Sequence, residues 1–122
     1  MRPPPSALRV TLHALRDRLP AEAVAHLGAE LPMLVRGLYY EGWHPSAEAL
    51  RAAHEEDFLD SLRRGLKGHQ ELQDLERVAR AVFAVLDERL APGQAEHALN
   101  ALPKPVRCLW RDVQAEGDER VR

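Results

Sequence analysis

A chain of 122 residues with 45% apolar and 30% charged side chains has the length and balance of one globular domain, long enough to bury a core. Its net charge of -2 offers no overall field to draw phosphate backbones or anionic lipid, so neither nucleic acid nor a membrane surface is expected as a partner. It has no apolar run of roughly 18 residues to span a bilayer, and Met1-Arg2-Pro3-Pro4-Pro5 leads straight into an amphipathic segment rather than a signal-peptide core, so a cytoplasmic protein is expected.

In chain order, Ser6 is the expected N-cap of a first helix, with Leu8, Leu12, Leu15 and Leu19 on one stripe. Pro20 closes it and suits the first turn of a shorter helix carrying Val24, Leu27 and Leu31. Pro32 opens a third, expected to bury Leu34, Val35, Leu38 and Tyr39 and to stop at Gly42-Trp43-His44-Pro45, where a C-cap glycine meets a proline. Ser46 then caps a helix bearing Leu50, Ala53, Phe58, Leu62 and Leu66, which the Gly65 to Gly68 region ends. Three more helices follow: Leu75, Ala79, Phe83, Leu86 and Leu90 on the first; a short one from Pro92-Gly93; and one from Pro103 with Val106, Leu109, Trp110 and Val113. The polar tail 114–122 is expected to fray. No segment alternates like a strand, so the chain reads as all-α.

Residues 8–41 recur at 79–112 without a gap, 71 positions on. Arg9, Leu15, Arg18, Leu19, His26, Leu31, Pro32, Val35, Arg36 and Leu38 meet Arg80, Leu86, Arg89, Leu90, His97, Leu102, Pro103, Val106, Arg107 and Leu109. A duplicated structural unit is the economical explanation. The expected architecture is a compact helical bundle in a single domain, 1–122, of two pseudo-twofold-related three-helix units. Unit one spans about 6–43 and unit two about 71–113, with a linking helix at about 46–67. The Phe58-Leu59-Asp60-Ser61-Leu62 segment has no earlier copy, so unit one lacks an opening helix.

The string Leu12-His13-Ala14-Leu15-Arg16-Asp17-Arg18-Leu19-Pro20, the pattern Glu30-Leu31-Pro32 running into Gly37-Leu38-Tyr39-Tyr40-Glu41-Gly42-Trp43, and Ala101-Leu102-Pro103 with Arg107, Leu109 and Trp110 resemble an uncharacterised prokaryotic family, domain of unknown function 2267. The resemblance runs from about Leu8 to Trp110. It implies a small helical protein of two related halves and transfers no catalytic role. Family members usually open each half with a Phe-Leu helix, which Phe58-Leu59 supplies here only for the second.

Candidate chemistry is sparse. One cysteine, Cys108, excludes an internal disulfide and a thiolate zinc cage; its repeat counterpart is Gly37, so a helix-packing contact is expected there rather than a nucleophile. After His54-Glu55-Glu56-Asp57, Phe58 stands where a zinc-protease helix needs its second histidine. His26 and His97, equivalent in the repeat, can form a paired metal or titrating site if the units meet face to face, and are otherwise surface or capping residues. The recurring arginines 18/89 and 36/107 can clamp an anion; because Asp17/Glu88 and Glu41/Asp112 recur with them, interhelical ion pairs are the favoured reading. Gly65 and Gly68 lack the ending of a phosphate loop, and Ser6, Ser46 and Ser61 lack a nucleophile elbow.

Tyr39, Tyr40 and Trp43 are three of only six Phe, Trp and Tyr residues and fall within five positions. They either plug the core or form a contact surface. No catalytic residues, metal ligands or cofactor are assigned. The expected function is a non-enzymatic interaction or oligomerising module. A homodimer, or failing that a protein partner, would cover the Leu8, Leu12, Leu15 and Leu19 face. The alternative is a small-ligand or regulatory binding protein, with a pocket between the units drawn from Tyr39, Tyr40, Trp43, Arg36 and Arg107.

Overall fold

Proline and short polar side chains set where the helices begin. The computed structural model describes residues 4–68 and 74–121, the side chains of 118–121 excepted. Among these residues there are eight helices and no strand: α1 (Pro5–Asp17), α2 (Ala21–Ala29), α3 (Met33–Tyr40), α4 (Ala47–Glu55), α5 (Phe58–Gly65), α6 (Leu75–Arg89), α7 (Pro92–Ala101) and α8 (Lys104–Val121). Pro20 and Pro32 occupy the N-caps of α2 and α3, Pro92 is the first residue of α7, and α8 begins directly after Pro103. Ser46 caps α4, its hydroxyl accepting from the Ala49 N–H at 3.2 Å. Gly42, at φ +70°, takes the left-handed turn after α3. Ser6 is not a cap: Pro4 takes that place, because a proline at the first helical position loses no hydrogen bond and Ser6 falls inside the first turn.

The expected linking helix is two helices. The chain leaves helical geometry at Glu56, and the Asp57 carboxylate accepts from the Asp60 N–H at 3.1 Å to start α5. At the other end, the 114–122 tail does not fray at Val113; α8 continues to Val121, and Arg80 on α6 holds it through Asp112 at 3.6 Å and Glu116 at 2.8 Å. Position 71, the expected start of unit two, Met1-Arg2-Pro3 and Arg122 lie outside the described residues.

Two of the three helix pairs that correspond in the repeat pack on each other, α1 on α6 and α2 on α7. The α1 stripe is buried within the chain: Leu12 and Leu15 are fully enclosed and Leu19 nearly so, each burial being worth about 1.5–3 kcal/mol. Leu8, at the head of the stripe, is partly buried, and the rest of this face is covered by the chain itself. The cover is α5, which packs on both α1 and α6. Its Phe58 stacks on Phe83 at 5.8 Å between centroids, and Phe83 on Trp110 at 5.2 Å. Each aromatic pair adds about 0.5–1.5 kcal/mol beyond area burial. Leu34, expected in the core, is 86% exposed beside Met33 at 83%; α3 buries only Tyr39, near its end, and its first turn lies at the surface. Cys108 is exposed, and a side chain at Gly37 would meet open space, so the small residue at this repeat position makes no helix contact.

Candidate functional site

The end of α1 is stapled to the end of α3 by side chains that reach for carbonyl oxygens. Arg16, only 5% exposed, donates from Nη1 to the Tyr39 and Glu41 carbonyls at 2.9 and 2.7 Å and pairs with Asp17 at 2.9 Å. His13 Nε2 lies 2.6 Å from the Leu38 oxygen; a carbonyl can only accept, so that nitrogen carries the proton. These bonds satisfy the orphan carbonyls of α3 and fix the turn that presents Trp43. In the second repeat the place of Arg16 is taken by Asp87, which accepts from Trp110 Nε1 at 3.0 Å and Gln114 Nε2 at 2.8 Å. A cation stands where the third helix stops and exposes carbonyls, an anion where it continues and offers side-chain donors.

Beside this staple lies an open cleft of about 670 Å³. Its floor is the α1–α2 corner from Arg16 to Ala21, one wall is the 42–46 turn with Trp43 and His44, and α4 forms the other with Ala49, Leu50, Ala52 and Ala53. Glu56 and Arg64, paired at 2.7 Å, close one end. None of the nine residues of α4 is buried. The helix packs on α1 and is held by its serine cap and by His54, whose Nε2 donates to the Arg18 carbonyl at 2.8 Å.

Of the five sequence-predicted residues, only Trp43 lines this cleft. Tyr39 is fully buried, its hydroxyl donating to the Val24 carbonyl at 2.9 Å; burial above all, with Tyr40 beside it, raises its pKa despite the opposing Arg16 charge. Tyr40 packs edge-on to Tyr39 at 5.0 Å and leans toward Trp43 at 5.7 Å, so the three aromatics do form one cluster. It lies over Gly28, where a methyl group would come within 2.3 Å of its hydroxyl. Arg36 turns the other way and caps α2, donating to the carbonyls of Gly28 and Leu31 at 2.9 Å and Ala29 at 3.2 Å. Arg107, on α8, lines neither this cleft nor the smaller pocket beside it. Neither of these two cavities brings Tyr39 together with Arg36 or Arg107.

One reading of the recurring charges is also corrected. The ion pair that repeats is Arg9–Glu41 and Arg80–Asp112, each at 3.6 Å, rather than one using Arg18 or Arg36. Exposure of both partners in the first pair limits it to a few tenths of a kcal/mol. Arg18 is buried because α5 covers it; its counterpart Arg89 lacks such a cover and is exposed. His26 and His97 do face each other across α2 and α7, ring centroids 4.5 Å apart, with Glu22 3.9 Å from His26. Among the described residues no three His, Cys, Asp or Glu side chains converge as a metal site. Nor is any described helix long and apolar enough to cross a membrane.

The family profile of the uncharacterized conserved proteins DUF2267 matches residues 5–109, from the first residue of α1 into α8. The chain belongs to this family. The DUF2267 match spans both repeats and the cleft between α1, α2 and α4, and the family description assigns no chemistry to either. No curated protein matches the chain.

Sequence reasoning missed Arg16, Glu56, Arg64 and the α4 wall. One signal was available: Arg16 and Asp87 are the repeat position with reversed charge on a helix otherwise matched in its apolar stripe.

Proposed function

We propose that the protein is a non-catalytic binding module whose cleft beneath α4 takes a small amphipathic molecule. The observation that carries this reading is the state of α4. Short helices owe most of their stability to burying an apolar stripe, yet α4 turns Leu50 and three alanines toward an open cleft and fully buries none of them, Leu50 and Ala53 being only half-buried. A ligand lying between Trp43 and Leu50 supplies the missing contact. The volume falls in the range of about 300–1,000 Å³ typical of ligand pockets. The charged lining is engaged internally, Arg16 with Asp17 and Glu56 with Arg64, which suits holding a molecule rather than moving protons. A thermal-shift screen over aromatic and aliphatic acids, amines and nucleosides tests the reading. Hits are expected to lose their effect in Trp43→Ala and Leu50→Asp; hits indifferent to both substitutions would remove it.

A second reading is homodimerisation, favoured by Met33 and Leu34, whose repeat counterparts are Lys104 and Pro105. A second copy seated on this patch is expected to give a weak dimer that Leu34→Glu dissolves. Light scattering showing a monomer at millimolar concentration would count against it. The pseudo-twofold relation between the units belongs with these proposals, supported by α1 on α6, α2 on α7 and the facing histidines.

A further inference from the structure

Arg18 is 2% exposed, and every acceptor it meets among the described residues is a neutral oxygen. Nη1 donates to the Ala14 carbonyl at 2.9 Å, and Nη2 to the Glu56 carbonyl at 3.0 Å and the Ser61 hydroxyl at 2.8 Å. The Phe58 ring lies under the guanidinium, 5.2 Å from centroid to Cζ. A guanidinium carries five N–H donors; three are used here, leaving Nε and one Nη1 hydrogen without a partner in the described chain. Burial of a cation is costly unless an anion answers it. Desolvation lowers the Arg18 pKa, and the nearby acids Glu56, Asp17 and Asp57 only partly offset that.

Arg18 borders a pocket of about 180 Å³ with His13, Ser61 and Arg64. Ser61 Oγ accepts from Arg18, so its own proton is free to donate outward, and Arg64 has donors beyond the one given to Glu56. Asp17 and Glu56 also border the pocket, each already paired with an arginine. The same Asp17, Ala53, Glu56 and Arg64 border the larger cleft, so the two spaces adjoin.

We infer that this pocket binds a carboxylate, held by Arg18 with Ser61 and Arg64, as the headgroup of the molecule whose apolar part occupies the cleft. The site rests on the cleft reading only for the tail; the headgroup contacts stand on Arg18, Ser61 and Arg64 independently of it. Because both Nη2 hydrogens are taken, the free Nε–H and Nη1–H lie on different edges of the guanidinium, so a carboxylate is held through a single Arg18 donor together with Ser61 and Arg64. A dianionic phosphate meets the field of Asp17 and Glu56 with twice the charge.

The test follows the Arg18 Nε–H resonance in the intact protein while acetate, then hexanoate, replaces chloride at constant ionic strength. Acetate is expected to shift it saturably. Arg64→Gln and Ser61→Ala, neither in the apolar core cluster, are each expected to weaken acetate roughly tenfold, the worth of one charge-assisted hydrogen bond. Hexanoate is expected to bind more tightly than acetate, and inorganic phosphate more weakly. Absence of a saturable acetate shift, indifference to both substitutions, or phosphate binding ahead of acetate would each overturn the carboxylate site. Equal binding of acetate and hexanoate would leave the headgroup site standing and refute the tail in the cleft.

Discussion

Thr11 sits fully enclosed in α1 with its hydroxyl oxygen bonded to nothing in the described chain, while the same repeat position on α6 is Val82, equally enclosed. A buried hydroxyl without a partner carries its desolvation cost unrelieved. Thr11→Val is therefore expected to stabilise the protein by about 1 kcal/mol, read as a higher urea midpoint with unchanged slope; a loss of stability would show that the hydroxyl has a partner. Tyr39 makes a pH-dependent contribution. In the unfolded chain its phenol ionises near 10.0, whereas in the fold burial keeps it protonated to higher pH. Above that value the unfolded state binds fewer protons, so stability is fully present below pH 10 and falls as pH rises beyond it. Chemical denaturation between neutral and strongly alkaline pH is expected to show this loss in the native chain and a shallower one in Tyr39→Phe, which at neutral pH costs about 1 kcal/mol for the bond to Val24. At this scale the sequence made the apolar core legible: the α6 stripe Leu75, Ala79, Phe83, Leu86 and Leu90 is buried throughout, because a 3.6-residue period needs no knowledge of its partner. Arginines were not legible. Arg18, Arg36 and Arg107 look alike in the repeat, and what each does depends on which carbonyls the tertiary fold leaves open nearby.

Among the elements, α4 has the weakest hold. With no buried residue it depends on the Ser46 cap, the His54 bond and contact with α1, so its amides are expected to exchange much faster than those of α1 or α6. Ser46→Ala is expected to speed that exchange further, by the factor matching about 1 kcal/mol, while leaving α6 amides unchanged. Equal protection of α4 and α6 would mean that α4 packs more firmly than the geometry describes. Helix starts at Pro20, Pro32, Ser46, Pro92 and Pro103 were readable because caps and prolines act locally. The break between α4 and α5 was not read, since Leu50, Ala53, Phe58, Leu62 and Leu66 fit one continuous stripe by coincidence. The Asp57 cap that starts α5 was in view, but only the backbone turn at Glu56 gives it meaning. The persistence of α8 beyond Val113 depends on Arg80, more than 30 positions away, which no local pattern contains.

Over the whole molecule the duplication predicts architecture better than function. Two matched pairs, α1 with α6 and α2 with α7, pack on each other, and the features without a twin, α4, α5 and the Tyr39–Trp43 cluster, lie next to the cleft or form part of it. The absent opening helix suggested an uncovered face; the fold instead lets α5 cover α1 and α6 together, a solution that depends on three-dimensional closure and not on counting segments. The cleft is built from residues scattered between Arg16 and Arg64, individually unremarkable in sequence. Its occupancy can be read directly, because the chain has two tryptophans in contrasting places: Trp43 at the cleft, and Trp110 fully buried and bonded to Asp87. Indole N–H resonances followed while hexanoate and aromatic carboxylic acids are added decide the matter. Occupation of the cleft is expected to shift the Trp43 signal saturably and leave Trp110 in place; a Trp43 signal that stays fixed at concentrations where binding is detected by other means would contradict it.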